Sequence, residues 1–169
     1  MRLVEGAFCP LGVPRFVCDE MLQGLGEWLR VAGYDTLQAS SGSPDRDVLA
    51  RAVAEDRWLV TCDRELQLHR DGPTHVILLT SDGQDANIRE LTRRLDLDWL
   101  HRPFCRCKRC NSLLQTGPLP GHTGPDDRPE AQVYHCPYCR QTYWVGGHVR
   151  RMRGTLERFN HWRRSQAQL

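Results

Sequence analysis

Four of the eight cysteines form two pairs, each with two residues between its members. Thiolates at this spacing contribute two sulfurs to one tetrahedral zinc ion, so two pairs complete its coordination sphere. Four sulfur ligands leave no position for water, which predicts a structural zinc rather than a catalytic one. The predicted ligands are Cys107, Cys110, Cys136 and Cys139.

Alternatives to this zinc site stay open. Cys105 could replace Cys107 at the cost of the two-residue spacer, and His135 or His148 could approach the ion. The pairs could also be redox dithiols, although neither has a thioredoxin-like context. The unpaired cysteines are interpreted as small buried hydrophobes: Cys9, Cys18, Cys62 and Cys105.

Aspartates follow three apolar segments that we interpret as strands. Asp19 follows "FVC", Asp63 follows "WLVTC" and Asp82 follows "VILLTS". Because the carboxyl ends of parallel strands share one edge of a sheet, these acids are expected to lie together. Carboxylates are ligands for Mg²⁺ or Mn²⁺, which can activate water against a phosphodiester. A helix-start acid, Asp45 or Asp47, would extend the cluster.

Each acid also has a plainer interpretation. Aspartate favours helix starts, so Asp63 could cap the helix after its strand, and Asp45 could be a simple N-cap. Arg30 and Arg64 could contact phosphate, but surface salt bridges are the default for such residues.

Apolar strands alternate with amphipathic helices over the first hundred residues, which predicts an α/β fold with a mainly parallel sheet flanked by helices. The first helix is expected to end at Gly33, and the second to begin with Ser43 or Asp45 as its N-cap. A later helix would place Ile88, Leu91 and Leu95 on its apolar side.

The composition changes near residue 101. We divide the chain into an N-terminal extension (1–14), an α/β domain (15–102), a zinc ribbon (103–149) and a basic C-terminal helix or tail (150–169). A glycine- and proline-rich stretch, "TGPLPGHTGPDDRPEAQ", is predicted to form an exposed loop between the cysteine pairs.

The C-terminal segment combines charge with aromatic residues. Residues 148–169 carry six arginines against Glu157 alone, interleaved with Phe159 and Trp162. This pattern suits single-stranded RNA, although the helix could be merely solvated and Trp144 could pack the ribbon against the α/β domain. No apolar run is long enough to span a bilayer, and the N-terminus lacks a secretory pattern, so we expect a cytoplasmic protein.

Several motifs occur in the order typical of one family. "FVCDEMLQGLGEWLRVAGYDT", "PDRDVLARAVAEDRWLVTCDREL", "RCKRCN" and "CPYCRQTYWVGGHVRRM" resemble the PIN-like ribonuclease domain of the Mut-seven C-terminal family over about residues 15–153. The resemblance implies a PIN-like α/β nuclease domain with a C-terminal zinc ribbon, RNA as the substrate and a possible homodimer. It also implies a site of four acids: Asp19, Asp45, Asp63 and Asp82.

Some positions in this comparison leave alternatives. Asp47 stands where a further acid is frequent, and Asp85 is the alternative to Asp82. The chain departs from the family pattern at Cys62, where a basic residue is frequent, and at Gly26, where alanine is more common.

Two functions therefore follow from the sequence. The first is a metal-dependent ribonuclease whose aspartates hold Mg²⁺ or Mn²⁺. The alternative is a non-catalytic RNA- or ribosome-binding zinc-ribbon protein with a vestigial acidic site.

Overall fold

The computed structural model describes residues 12–80, 83–117, 119 and 132–166. Four parallel strands form a sheet in the order β2-β1-β3-β4, which confirms the predicted α/β class. The strands are β1 (Phe16–Cys18), β2 (Thr36–Gln38), β3 (Trp58–Thr61) and β4 (Val76–Leu78). Cys9, Asp82 and most of the predicted glycine- and proline-rich loop lie outside the described residues.

Helices cover both faces of this sheet. A 3-10 helix (Glu20–Leu22) precedes α1 (Gln23–Ala32). The other helices are α2 (Asp45–Ala54), α3 (Arg64–Leu68), α4 (Gly72–His75), α5 (Gln84–Leu95) and α6 (Gly147–Gln166).

The strands β1, β3 and β4 are almost entirely apolar because this part of the sheet is buried on both faces, whereas the edge strand β2 carries Thr36 and Gln38. Successive side chains of a strand point to opposite faces, so each strand contributes to two cores. Phe16 and Val60 pack in the core beneath α1, α5 and α6. Val17 and Leu59 pack in the smaller core beneath α2 and α3.

Gly33 ends α1, as predicted. Its φ of 103° lies in the left-handed region, which disfavours a side chain. A Cβ there would also collide with the carbonyl oxygen of Arg102, so glycine is required for two independent reasons. The predicted apolar side of α5 is confirmed, since Ile88 and Leu91 are buried and the half-buried Leu95 packs against the same core.

The prediction for the start of α2 was wrong. Its N-cap is Pro44 rather than Ser43 or Asp45, and no side chain caps the helix. Asp45 is the first helical residue, where a carboxylate still interacts favourably with the helix dipole.

The arginine-rich C-terminal segment forms α6, whose apolar side belongs to the main core. Met152, Leu156 and Phe159 are buried, and the Phe159 ring meets the rings of Trp28 and Trp99 edge-on. Deleting this segment would therefore expose the core instead of removing only a surface charge.

The second sheet is antiparallel and small. It contains β5 (Gln115–Thr116), β6 (Val133–His135) and β7 (Thr142–Trp144), in sequence order. Trp144 is 44% exposed and belongs to neither buried cluster, which contradicts the prediction that it packs the ribbon against the α/β domain.

Two side chains attach the cysteine-rich segment to the edge strand β2. Arg30 is 5% exposed and donates to the carbonyl oxygens of Thr36, Lys108 and Arg109. Asn111 accepts a hydrogen bond from the Thr36 amide at 3.0 Å. Arg30 therefore has neither of the predicted roles, because its guanidinium is buried in structural hydrogen bonds and forms no salt bridge with any described residue.

Candidate functional site

Asp19 and Asp63 lie at the carboxyl ends of two adjacent parallel strands. Asp19 directly follows β1, and Asp63 lies two residues beyond β3. The Asp19 amide donates to the carbonyl of Val60 at 3.0 Å, which continues the β1–β3 pairing to the edge of the sheet. The two acids therefore begin from neighbouring positions on this edge.

Thr61 connects these two acids. Its hydroxyl donates to Oδ2 of Asp19 at 2.8 Å and accepts a hydrogen bond from the Asp63 amide at 2.9 Å. Thr61 is fully buried, so the hydroxyl is held in place by the surrounding structure. The Thr61 hydroxyl therefore orients both the Asp19 carboxylate and the backbone of Asp63.

Both acids also act as caps. Oδ1 of Asp19 accepts from the Glu20 amide at 2.6 Å, and Oδ1 of Asp63 accepts from the Glu65 amide at 2.8 Å. The capping interpretation of Asp63 is therefore confirmed. It does not exclude a cation, because an ionised carboxylate has about four lone-pair positions.

The backbone of Asp19 has a further support that the sequence did not reveal. Nε2 of Gln38 donates to the Asp19 carbonyl at 2.6 Å, across the β1–β2 pair. A Cβ at Gly26 would lie 2.7 Å from Oε1 of Gln38, so the missing side chain at position 26 leaves room for this contact. Gly26, a departure from the family pattern, thus has a structural reason.

Glu20 is an acid at this edge that sequence reasoning missed. Its carboxylate accepts from the Ser41 hydroxyl and the Gly42 amide, both at 3.2 Å. These bonds hold the segment before α2 against the end of β1. The position of Glu20 directly after Asp19 was the available signal.

The remaining predicted acids are less constrained. Asp45 and Asp47 are exposed at the start of α2, and Asp47 lies 3.4 Å from Nε of Arg46. Asp85 is exposed at the start of α5, 3.7 Å from Arg158. Within the described residues, no three carboxylates approach one another within 4.8 Å.

A cleft opens beside the strand ends. Its volume is about 420 Å³, and it lies between the 3-10 helix, the ends of β3 and β4, and α5. Its lining is mainly apolar, with a few polar groups. Asn87 on α5 is one of them: it is 4% exposed, and its Oδ1 has no hydrogen-bond partner among the described residues. Sequence reasoning missed Asn87, which looked like an ordinary helix residue.

The four predicted zinc ligands converge. The sulfurs of Cys107, Cys110, Cys136 and Cys139 all lie within 4.8 Å of one another. The closest cross-pair distances are 3.5 Å between Cys107 and Cys139 and 3.3 Å between Cys110 and Cys136. Neither Cys105 nor His135 is part of this group, and Nδ1 of His135 lies 2.8 Å from the Gly117 carbonyl oxygen instead.

The two cysteine pairs share one backbone design. Asn111 follows the first pair and Arg140 the second, with left-handed φ values of 72° and 60°. In each, the residue after the second cysteine donates its amide to the carbonyl of the first cysteine. This repeat turns both cysteines of a pair toward one point, as a metal knuckle requires.

The thiols of this cluster differ in acidity. For Cys110, burial acts to raise the pKa, but hydrogen bonds with Ser112 and the neighbouring cysteines outweigh it and lower the pKa to about 6. For Cys139, burial and hydrogen bonds with the other thiols raise the pKa to about 12. Four thiols packed this closely can all ionise only beside a cation, and the cluster can hold a metal such as zinc.

No helix within the described part of the chain is long and apolar enough to cross a bilayer.

The family model described as "Mut7-C RNAse domain" matches residues 14–156, which is most of the chain. No curated protein and no solved structure matches this chain.

Proposed function

Because this chain belongs to the Mut7-C RNAse domain family, we propose that it is a metal-dependent ribonuclease that hydrolyses RNA phosphodiester bonds at the strand-end acids. The observation that carries this proposal is the link from Asp19 through Thr61 to Asp63 at one edge of the sheet. We also propose that the cysteine-rich segment is a zinc ribbon and that the chain has the four divisions predicted from the sequence. A cytoplasmic location belongs to the same proposal, because free thiolate ligands persist in a reducing compartment.

The donor set fits a hard cation. Mg²⁺ is usually held by one or two carboxylates together with waters and substrate phosphates. Asp19 and Asp63 would provide these carboxylates, and the proposed set is completed by Asp45, at the start of α2, and by Asp82, which lies outside the described residues. A bound Mg²⁺ or Mn²⁺ would polarise the phosphate and activate water.

The protein's own groups have distinct tasks in this proposal. Thr61 orients the Asp19 carboxylate, and Gln38 fixes its backbone. Oδ2 of Asp63 has no hydrogen-bond partner within the described residues, so it is available to accept a proton from attacking water. Arg64 lines the adjacent cleft, where it can pair with a substrate phosphate.

The test is RNA cleavage in Mn²⁺ by the wild type, Asp19→Asn and Asp63→Asn. Asparagine caps helices about as well as aspartate, so these substitutions remove the charge and keep the cap. We expect cleavage to fall at least about 100-fold in each variant with little change in thermal stability. The matched control is Asp71→Asn, an exposed acid with no side-chain cap bond, which should cleave at the wild-type rate.

One observation favours the non-catalytic alternative, in which the protein only binds RNA. The described acids do not form a group of three. This alternative predicts that RNA affinity persists in both Asp→Asn variants and that purified protein lacks cleavage in every divalent metal tested. Cleavage by Asp19→Asn and Asp63→Asn at the wild-type rate would rule out the proposed catalytic site.

A further inference from the structure

Two clefts on this protein meet at one shared boundary. The strand-end cleft described above measures about 420 Å³, and a second cleft of about 260 Å³ lies between α1, α6 and the first cysteine pair. We call this second one the ribbon-side cleft. Gly24 on α1 and Gln84 on α5 line both clefts. The exposed side chain of Gln84 lies over Gly24, with its Oε1 where a Cβ at that position would be, so one flexible side chain covers this junction.

The charged side chains that line the two clefts are mostly basic. Arg64 lines the strand-end cleft, whereas Lys108 and Arg151 line the ribbon-side cleft. Among the described residues, Glu27 is the single acid in either lining, and it lies 3.1 Å from Lys108. Arg64 and Arg151 have no acidic partner within the described residues, so both clefts suit an anionic ligand.

The linings also contain surfaces for a flat, hydrogen-bonding group. Trp28 lines the ribbon-side cleft, and Leu22 and Leu79 line the strand-end cleft. Asn87 is 4% exposed, and its Oδ1 has no partner in the part of the chain that the structure describes. A buried polar group without a partner is unfavourable unless a ligand completes its bonding. Bases have apolar faces and hydrogen-bonding edges, so this combination favours a nucleic-acid strand over inorganic phosphate or an acidic peptide.

We propose that the two clefts form one groove for single-stranded RNA, in which the ribbon-side cleft is a distal subsite. The strand passes Lys108 and Arg151, crosses the junction at Gly24 and Gln84, and reaches the strand-end acids with a base beside Asn87. This inference rests on the proposed ribonuclease function. It names the residues that bind the substrate at a distance from the phosphodiester bond that is cleaved.

The first test measures the affinity of a labelled single-stranded RNA by fluorescence anisotropy in the Asp63→Asn background. Lys108→Gln and Arg151→Gln should each weaken binding several-fold and reduce the slope of log affinity against log salt by about 1. The matched control is Arg150→Gln, which changes the neighbouring charge on α6 and lines neither cleft. Equal losses at positions 150 and 151, or no loss at 108 and 151, would overturn the proposal.

The second test blocks the junction. The wild type should bind a long oligonucleotide more tightly than one that fills only the strand-end cleft, because the long strand also reaches the ribbon-side cleft. Gly24→Phe should abolish this difference while circular dichroism shows an unchanged fold. A long oligonucleotide that keeps its advantage in folded Gly24→Phe contradicts a continuous groove.

The third test separates ligand binding from stability at Asn87. Asn87→Leu keeps the branching and the number of heavy atoms of the side chain and removes an unpartnered polar atom, so thermal stability should stay equal or rise. RNA affinity should fall, because the base loses its hydrogen-bond partner. Unchanged affinity would exclude Asn87 from the groove.

These results are distinguishable from a failure of the ribonuclease proposal. If Asp19→Asn cleaves normally while the groove variants bind weakly, the groove stands and the catalytic site is wrong. If Asp19→Asn is inactive while the groove variants bind normally, the groove is wrong and the catalytic site stands.

Discussion

Nη1 of Arg30 lies 3.0 Å from the carbonyl oxygen of Lys108, so a buried arginine of α1 holds the first cysteine pair in place. The two residues are far apart in sequence, yet their contact fixes the cysteine-rich segment against edge strand β2. Burial lowers the pKa of Arg30. Nearby acidic groups act in the opposite direction, and the strongest of these opposing effects comes from Cys18. The arrangement couples the integrity of the cysteine-rich segment to that of the parallel sheet.

We expect Arg30→Met to destabilise the protein by about 3 kcal/mol. The variant keeps most of the apolar stem but leaves the carbonyls of Thr36, Lys108 and Arg109 without their buried donor. Urea unfolding measures the loss. Arg93→Met, which changes an exposed arginine of α5, is the control and should cost under about 0.5 kcal/mol.

The contact between Gly26 and Gln38 predicts a coupled pair of substitutions. Gly26→Ala should lower stability by about 1 kcal/mol, because its Cβ displaces Gln38 Oε1 and this outweighs the gain in helix propensity. In a Gln38→Ala background the obstacle is gone, and the same substitution should stabilise α1. Thermal unfolding of the four proteins in this cycle measures the coupling, and strictly additive effects would contradict the assigned contact.

Metal analysis tests the cysteine cluster. We expect a single zinc ion per chain in the wild type and its loss in Cys136→Ser, because serine does not replace a thiolate ligand. Cys105→Ser is the matched control, since Cys105 lies outside the converging group, and it should retain the metal. Because Arg30 and Asn111 join this segment to β2, loss of zinc should also lower the melting temperature of the α/β part.

The ion pair between Asp35 and Arg57 predicts a pH dependence of stability. For Asp35, burial acts to raise the pKa, but hydrogen bonds from Arg57 and Asn111 outweigh it and hold the pKa below its ordinary value of 3.8. A depressed folded-state pKa contributes stability above the unfolded value, and this contribution is lost as pH falls through the folded value. It is therefore complete at neutral pH and declines below about pH 4.

Asp35→Asn should accordingly be less stable than the wild type at pH 7, by on the order of 2 kcal/mol. Asparagine keeps an acceptor for Asn111 but removes the charge opposite Arg57. The difference should shrink as the pH falls below about 4, and urea unfolding across this range measures it. A difference that stays constant down to pH 2 would show that the charge of Asp35 is not the cause.

Local patterns in the sequence were sufficient to predict the fold class, the cysteine cluster and the edge that Asp19 and Asp63 share. The alternation of apolar strands and amphipathic helices predicted the α/β class, because side-chain periodicity follows directly from backbone geometry. The two-residue spacing of the cysteines identified all four members of the cluster, because a knuckle is built from adjacent residues. The positions of Asp19 and Asp63 after strands predicted a shared edge, since parallel strands end together. Their metal binding remains a prediction.

Only the tertiary structure decided what holds these parts together. Arg30 looked like a surface charge, and α6 like a basic tail, until their distant partners were in place. Asn111 and Asn87 carried no local signal, because their roles depend on which segments of the chain meet them. The physical reason is the same in each case. A short pattern reports the periodicity of its own backbone, whereas the burial and pairing of a polar side chain depend on residues far away in sequence.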